Sequence, residues 1–234
     1  MIILGFESTA KVASVALSDN DKILAHYRID NGNTQSELLL PMAESILKST
    51  GLSFSDIDVL AAAVGPGSFT GVRIGVSVVK GLAFGKGTPT VAVSSLEALA
   101  ENARGLSGII VAAMDARRNQ VYYAIFSSKD GELTRQTDDG AISVDELISE
   151  LLKYRDESIY VVGDGYALLH RASAGKLTLA VTPDELILQN AISVCKIAKR
   201  KYEMGEYTSD LEISPKYLRL PQAERERLER EKQK

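Results

Sequence analysis

The chain has 234 residues, 45% of them apolar, and a formal charge of −4, enough to bury one large core or two modest lobes. That composition excludes a mainly disordered chain. It also gives no global electrostatic reason for tight nucleic-acid binding, which needs Lys and Arg gathered on one face, so any contact with RNA is expected to be indirect. The sole cysteine, Cys195, sits in the apolar pattern of Ile192, Val194 and Ile197; it reads as a small core hydrophobe and fits a reducing compartment. The run Ile2–Leu4 with Phe6 is too short for a signal-peptide core, and Lys80 and Lys86 interrupt the most apolar later stretch, so a cytoplasmic chain without membrane contact is expected.

In chain order, Ile2–Phe6, Val12–Leu17 and Lys22–Tyr27 read as three strands separated by turn-forming residues, an antiparallel meander. A helix over Thr34–Ser49, a strand over Asp58–Val64, a helix over Thr70–Phe84 and a strand over Thr90–Val93 follow, and this alternation implies parallel crossovers. A similar opening returns at Gly108: Ile109–Met114 and Val121–Phe126 flank the polar turn Asp115–Gln120. A helix over Val144–Tyr154, a strand over Ile159–Val162, a turn at Gly163–Gly165 and a helix from about Glu185 to Tyr202 complete the pattern. The expected division is a first lobe over 1–104, a second over 108–220 and a charged tail over 221–234, with Glu226 and Arg230 at helical spacing.

Gly65-Pro66-Gly67-Ser68-Phe69-Thr70-Gly71 lies between a strand and a helix, where glycines permit a sharp turn and backbone N–H groups can hold an anion. The spacing is not GxGxxG, and Lys86 precedes Gly87 rather than Ser or Thr, so no Walker lysine is present. Two readings stay open. Gly65, Gly67, Ser68 and Thr70 can contact phosphate, with Glu7 and Asp115 in the two hairpin turns holding a magnesium–nucleotide between the lobes. Alternatively, Gly65 and Gly67 only shape the turn, Ser68 or Thr70 caps the helix, Gly75 and Gly81 allow close packing, and the two hairpin carboxylates serve turn chemistry and an Asp–Arg surface pair, the reading favoured here. With only His26 and His170, no histidine metal motif can be built, and no GxSxG elbow exists.

The two helices carry more apolar surface than one sheet contact needs. At 100° per residue, Leu38, Leu39, Leu40, Met42, Ala43, Ile46 and Leu47 spread over roughly 200°, and Val72, Ile74, Val76, Val78, Val79, Leu82 and Ala83 cover a similar arc. A helical subunit interface is expected, built from Leu38, Leu39, Met42, Ile46, Ile74 and Val78; the competing reading is a third layer supplied by the chain itself.

Taken together, the segment GPGSFTGVRIG over 65–75, the run Val91-Ala92-Val93-Ser94-Ser95-Leu96, Glu7-Ser8-Thr9, Ser36–Pro41, Asp115–Arg118 before Val121-Tyr122, and Pro215–Arg219 resemble the TsaB family, also called YeaZ. The resemblance implies an α/β fold of the actin/Hsp70/sugar-kinase type with a reduced second lobe. It further implies a non-catalytic subunit in threonylcarbamoyladenosine modification of tRNA beside the anticodon. Such a subunit pairs through its two first-lobe helices with itself or with the catalytic relative TsaD, alongside TsaE. No catalytic residue and no cofactor of its own follow, with ATP and metal belonging to the partners; the histidine pair that holds metal in TsaD-like proteins has no counterpart in 34–49. Glu7 stands where Asp is frequent in the family, and Gln35 where His is frequent. The alternative is an enzyme, either an ATP-binding phosphotransferase using Glu7, Gly67 and Asp115 or a peptidase.

Overall fold

The computed structural model describes residues 1–31 and 34–219; the expected charged tail lies outside the described residues. The chain opens with β1 (Ile2–Glu7), β2 (Ala13–Asp19) and β3 (Lys22–Ile29), then α1 (Gln35–Thr50), β4 (Val59–Ala63), α2 (Phe69–Ala83), β5 (Thr90–Val93) and α3 (Ser95–Asn102). It continues through β6 (Gly108–Asp115), β7 (Gln120–Lys129), β8 (Glu132–Arg135), β9 (Gly140–Ser143), α4 (Val144–Leu151), β10 (Ile159–Val162), α5 (Tyr166–Ser173), α6 (Asp184–Ile187) and α7 (Ala191–Glu203).

The first sheet has the order β3-β2-β1-β4-β5, antiparallel through the meander and parallel across β1–β4 and β4–β5. The second runs β10-β6-β7-β8, with β9 also on β7. Its β6–β7 hairpin and the parallel strand β10 repeat the arrangement of β1, β2 and β4, while only one parallel strand follows where the first sheet has two. The repeat seen in sequence is therefore a repeat in space.

Helices cover both faces of both sheets, since a sheet in the middle of a domain must bury two sides. Leu39, Met42, Ile46, Val76 and Val79 of α1 and α2 close one face of the first sheet, and Val194, Cys195 and Ile197 of α7 close the other. On the second sheet Leu147, Ile148 and Leu169 fill the outer face, whereas Leu96, Leu99 and Ala100 of α3 fill the inner one. The helices α3 and α7 also touch each other, so they form a shared layer between the sheets.

The division at 104 and 108 is corrected by this layer. α3 precedes the boundary yet packs on the second sheet, and α7 follows it yet packs on the first. The segment after α7 also returns to the first lobe: Thr208 bridges Thr90, and Ile213 enters the α1/α2 core. The strand expected over Thr90–Val93 is β5, and Ser94 then caps α3 by accepting the Glu97 N–H. Two element readings change as well. The helix expected from Glu185 breaks before Asn190, whose side chain caps α7 by accepting the Ile192 N–H. α3, β8, β9 and α5 had no counterpart in the pattern reading, being four to eight residues long.

Candidate functional site

The turn after β1 and the turn between β6 and β7 open into one cavity of about 510 Å3 between the lobes. Its lining includes Lys11 from the first turn, Gly67 and Ser68 from the start of α2, and Asp115 and Arg117 from the second turn. Asp164, just after β10, and Lys216–Arg219 from the carboxy-terminal strap complete it.

The start of α2 is pressed onto the first turn. Ser8 Oγ donates to the Gly71 carbonyl at 2.8 Å, and the Ser68 N–H donates to the Thr9 carbonyl at 2.6 Å. A Cβ at Gly67 would fall 2.3 Å from Thr9 O, and one at Gly71 only 2.0 Å from Ser8 O. These contacts explain the glycine spacing as close packing. Gly81 departs from the expected packing role, since a Cβ there meets nothing within 4 Å. Ser68, not Thr70, is the cap of α2, accepting the Gly71 N–H at 3.2 Å.

Glu7 lies beneath the cleft, fully buried. Its Oε1 accepts the Thr9 N–H at 2.7 Å and the Thr9 hydroxyl at 2.6 Å, while Oε2 is buried without a hydrogen-bond partner. Burial pushes the carboxyl up to about 7 against the lowering pull of those bonds. Asp164 Oδ1 accepts the Asp115 N–H at 3.2 Å, and burial raises the Asp164 carboxyl above its ordinary range. Asp115 Oδ1 accepts the Arg117 N–H at 2.7 Å. The turn it braces holds Arg117, Arg118 and Asn119 at φ of 65°, 54° and 54°. Left-handed backbone costs about 1 kcal/mol or more per non-glycine residue, so this hairpin stores strain at the cleft.

Of the six residues expected to contact phosphate, the structure brings Gly67, Ser68 and Asp115 to the cavity wall. Gly65, with φ of 111°, is occupied by backbone: a Cβ there would meet Lys216 O at 2.5 Å. Thr70 is exposed on α2 and Glu7 is sealed below, so neither lines the cavity. Glu7 and Asp115, whose alternative reading was a hold on a magnesium–nucleotide, are each turned to local N–H groups, Glu7 to Thr9 and Asp115 to Arg117.

The strap is the part pattern reading missed. Tyr217 stacks on Phe69 with ring centroids 4.3 Å apart and receives a hydrogen bond from Arg73 Nε at 2.8 Å. Lys216 donates its N–H to Val64 O at 2.7 Å and its Nζ to Asp139 at 3.2 Å, and Arg219 donates to Ala116 O at 2.7 Å. One short segment thus ties α2 to the second-lobe hairpin. Lys11, Arg117 and Asp164 were also missed as lining residues; of the three, Arg117 alone lies in a run the sequence reading singled out, Asp115–Arg118.

The α1/α2 face divides in two. Leu39, Met42 and Ile46 are at most 4% exposed and packed on the first sheet, so their expected role as partner contacts is corrected: the chain's own core takes them. Leu38, Ile74 and Val78 are only partly buried against that core, beside exposed Leu40 and Pro41.

Two α/β sheets, each opened by an antiparallel hairpin whose turn enters a common cleft, with a reduced second sheet, define a protein of the actin/Hsp70/sugar-kinase class. A family model described as TsaD, tRNA N6-adenosine threonylcarbamoyltransferase, matches residues 32–224. The chain is 33% identical over 229 residues to the tRNA threonylcarbamoyladenosine biosynthesis protein TsaB of Haemophilus influenzae, spanning 94% of each chain. It is 32% identical over 222 residues to the TsaB of Escherichia coli, spanning 94% of this chain and 95% of that one. The solved structure of YeaZ from Pseudomonas aeruginosa superposes with a TM-score of 0.79 at 26% identity, covering 93% of this chain and 99% of that one. The chain belongs to the TsaB (YeaZ) family, related to TsaD.

Proposed function

We propose that this chain acts in tRNA threonylcarbamoyladenosine biosynthesis as a non-catalytic subunit that docks a TsaD-type threonylcarbamoyltransferase through the outer face of α1 and α2. The observation that carries the reading is the band of Leu38, Ile74 and Val78, apolar side chains that the first sheet leaves partly open. Pairing of two such helices with a matching pair would bury that band, and in isolation a second copy of the chain takes the same face. The chemistry belongs to the partners: TsaD and TsaE supply ATP use and metal, this chain contributes no catalytic group or cofactor, and it meets tRNA only through the assembly. Its compartment is the cytoplasm; among the described residues no helix is long and apolar enough to cross a membrane.

The test is co-purification with TsaD after Ile74→Glu, together with threonylcarbamoylation of tRNA by TsaD, TsaE and the activated intermediate with and without this chain. The variant is expected to stay folded, lose the partner and lose stimulation. Unimpaired pairing would remove α2 from the interface, and turnover of ATP by the pure chain would favour the phosphotransferase reading.

A further inference from the structure

The charges beside the apolar band of α2 are one-sided. The helix contains two cations, Arg73 and Lys80, and no acidic residue. They stand seven residues apart, close to two helical turns, and so share one flank. The outward line they flank is Ile74, Ser77 and Gly81 of α2 with Phe84 at its C-cap, recurring at spacings of three and four. Phe84 is 74% exposed, a large apolar side chain that the monomer does not cover.

The carboxy-terminal strap holds both cations in place. Arg73 lies 4.0 Å above the Phe69 ring and donates from Nε to the Tyr217 hydroxyl at 2.8 Å, while Lys80 Nζ donates to the Leu211 carbonyl at 3.0 Å. These acceptors are neutral, so each side chain keeps its full charge, and among the described residues neither has an ion pair. Where two helices pack, the positions beside the seam meet charged residues of the other helix, and the signs there decide which partner is accepted. A second copy of the chain brings another α2, with the same two cations and no carboxylate.

We propose that Arg73 and Lys80 select the docking partner: a helix of another protein with an apolar seam and with carboxylates seven residues apart along its edge, in preference to a second copy of this chain. The inference rests on docking through α1 and α2 and adds the specificity of that face. Ile74 and Phe84 offer apolar contact to either occupant, whereas the cations attract one and repel the other across α2. Because the strap already fixes both side chains, pairing costs them little conformational freedom.

Calorimetric titration of the full chain with TsaD, and sedimentation of the chain alone, each at about 50 and about 500 mM NaCl, test this. Salt is expected to weaken TsaD binding about threefold or more and to tighten self-association. Arg73→Gln combined with Lys80→Gln keeps polar side chains and removes both charges. At low salt it should produce the same two opposite shifts and flatten the salt dependence, with a thermal melt near the parent's. Cations that only pin the strap would instead lower the melt or move both pairings the same way. The proposal is overturned by salt shifting both pairings in one direction, or by a folded double variant that leaves either pairing unchanged. Self-association weakened by salt would also overturn it, by setting Glu44 of α1 opposite the cations. If Ile74→Glu abolishes TsaD binding while the double variant binds like the parent, docking stands and charge selection falls; if Ile74→Glu binds normally, both fall.

Discussion

On the helix pair α1/α2, Leu39, Met42 and Ile46 press into the first sheet and are at most 4% exposed, whereas Leu38, Ile74 and Val78 remain partly open on the other side. The side chains are alike in size and apolarity; they differ only in what stands opposite. An inner residue is surrounded by its own chain, so its removal leaves a cavity that the sheet and helices cannot fully close. An outer residue loses little when shortened, because water already reaches it. Apolar residues on one helix thus divide into those that hold the monomer together and those that can recognise another molecule.

The sharpest way to break that contrast is to truncate the inner face. Leu39→Ala or Ile46→Ala is expected to cost about 2–5 kcal/mol in urea unfolding, while Ile74→Ala stays within about 1 kcal/mol. Equal losses on the two faces would make the outer band part of the core and remove its availability to a partner.

A second buried group, under the first turn, gives a test with a definite sign. Folding raises the Glu7 carboxyl from its ordinary 4.5 to about 7. Between those values the folded chain keeps a proton that the unfolded chain releases, so stability falls as pH rises through the window, by up to about 3 kcal/mol, and is level above it. Glu7→Gln keeps an acceptor for Thr9 and should remove most of the slope. If denaturation midpoints of the parent chain do not decline between pH 4.5 and 7, burial is not what sets this carboxyl.

The smallest effects compare two glycines of α2. A Cβ at Gly71 would sit 2.0 Å from the Ser8 carbonyl, a backbone atom that cannot move away freely. Gly71→Ala should therefore lower stability by about 1–3 kcal/mol. At Gly81 the space is open, and Gly81→Ala should raise stability by about 0.5–1 kcal/mol through helix propensity. Thermal melts of the two variants moving in the same direction would undo the account of the glycine-rich segment as packing.

The long periodic elements were legible from residues alone. Period-two and period-3.6 patterns placed β1 to β5, α1 and α2, and the return of the opening at Gly108 revealed the second sheet, because alternation and amphipathicity are local consequences of having one face to bury. The motifs from Gly65 to Gly75 and from Asp115 to Arg118 led to the family. What the residues could not decide was which element covers which sheet. α7 crosses back to the first sheet and α3 forward to the second, since each inner face is closed by whichever helix the topology brings there. The same is true of the site. That Leu39 is core and Leu38 is surface, that Glu7 is sealed while Lys11 lines the cleft, and that Tyr217 reaches Phe69 across most of the chain depend on contacts between residues far apart in sequence. Only tertiary packing sets those contacts, because burial is a property of neighbours in space and local pattern reports only neighbours along the chain.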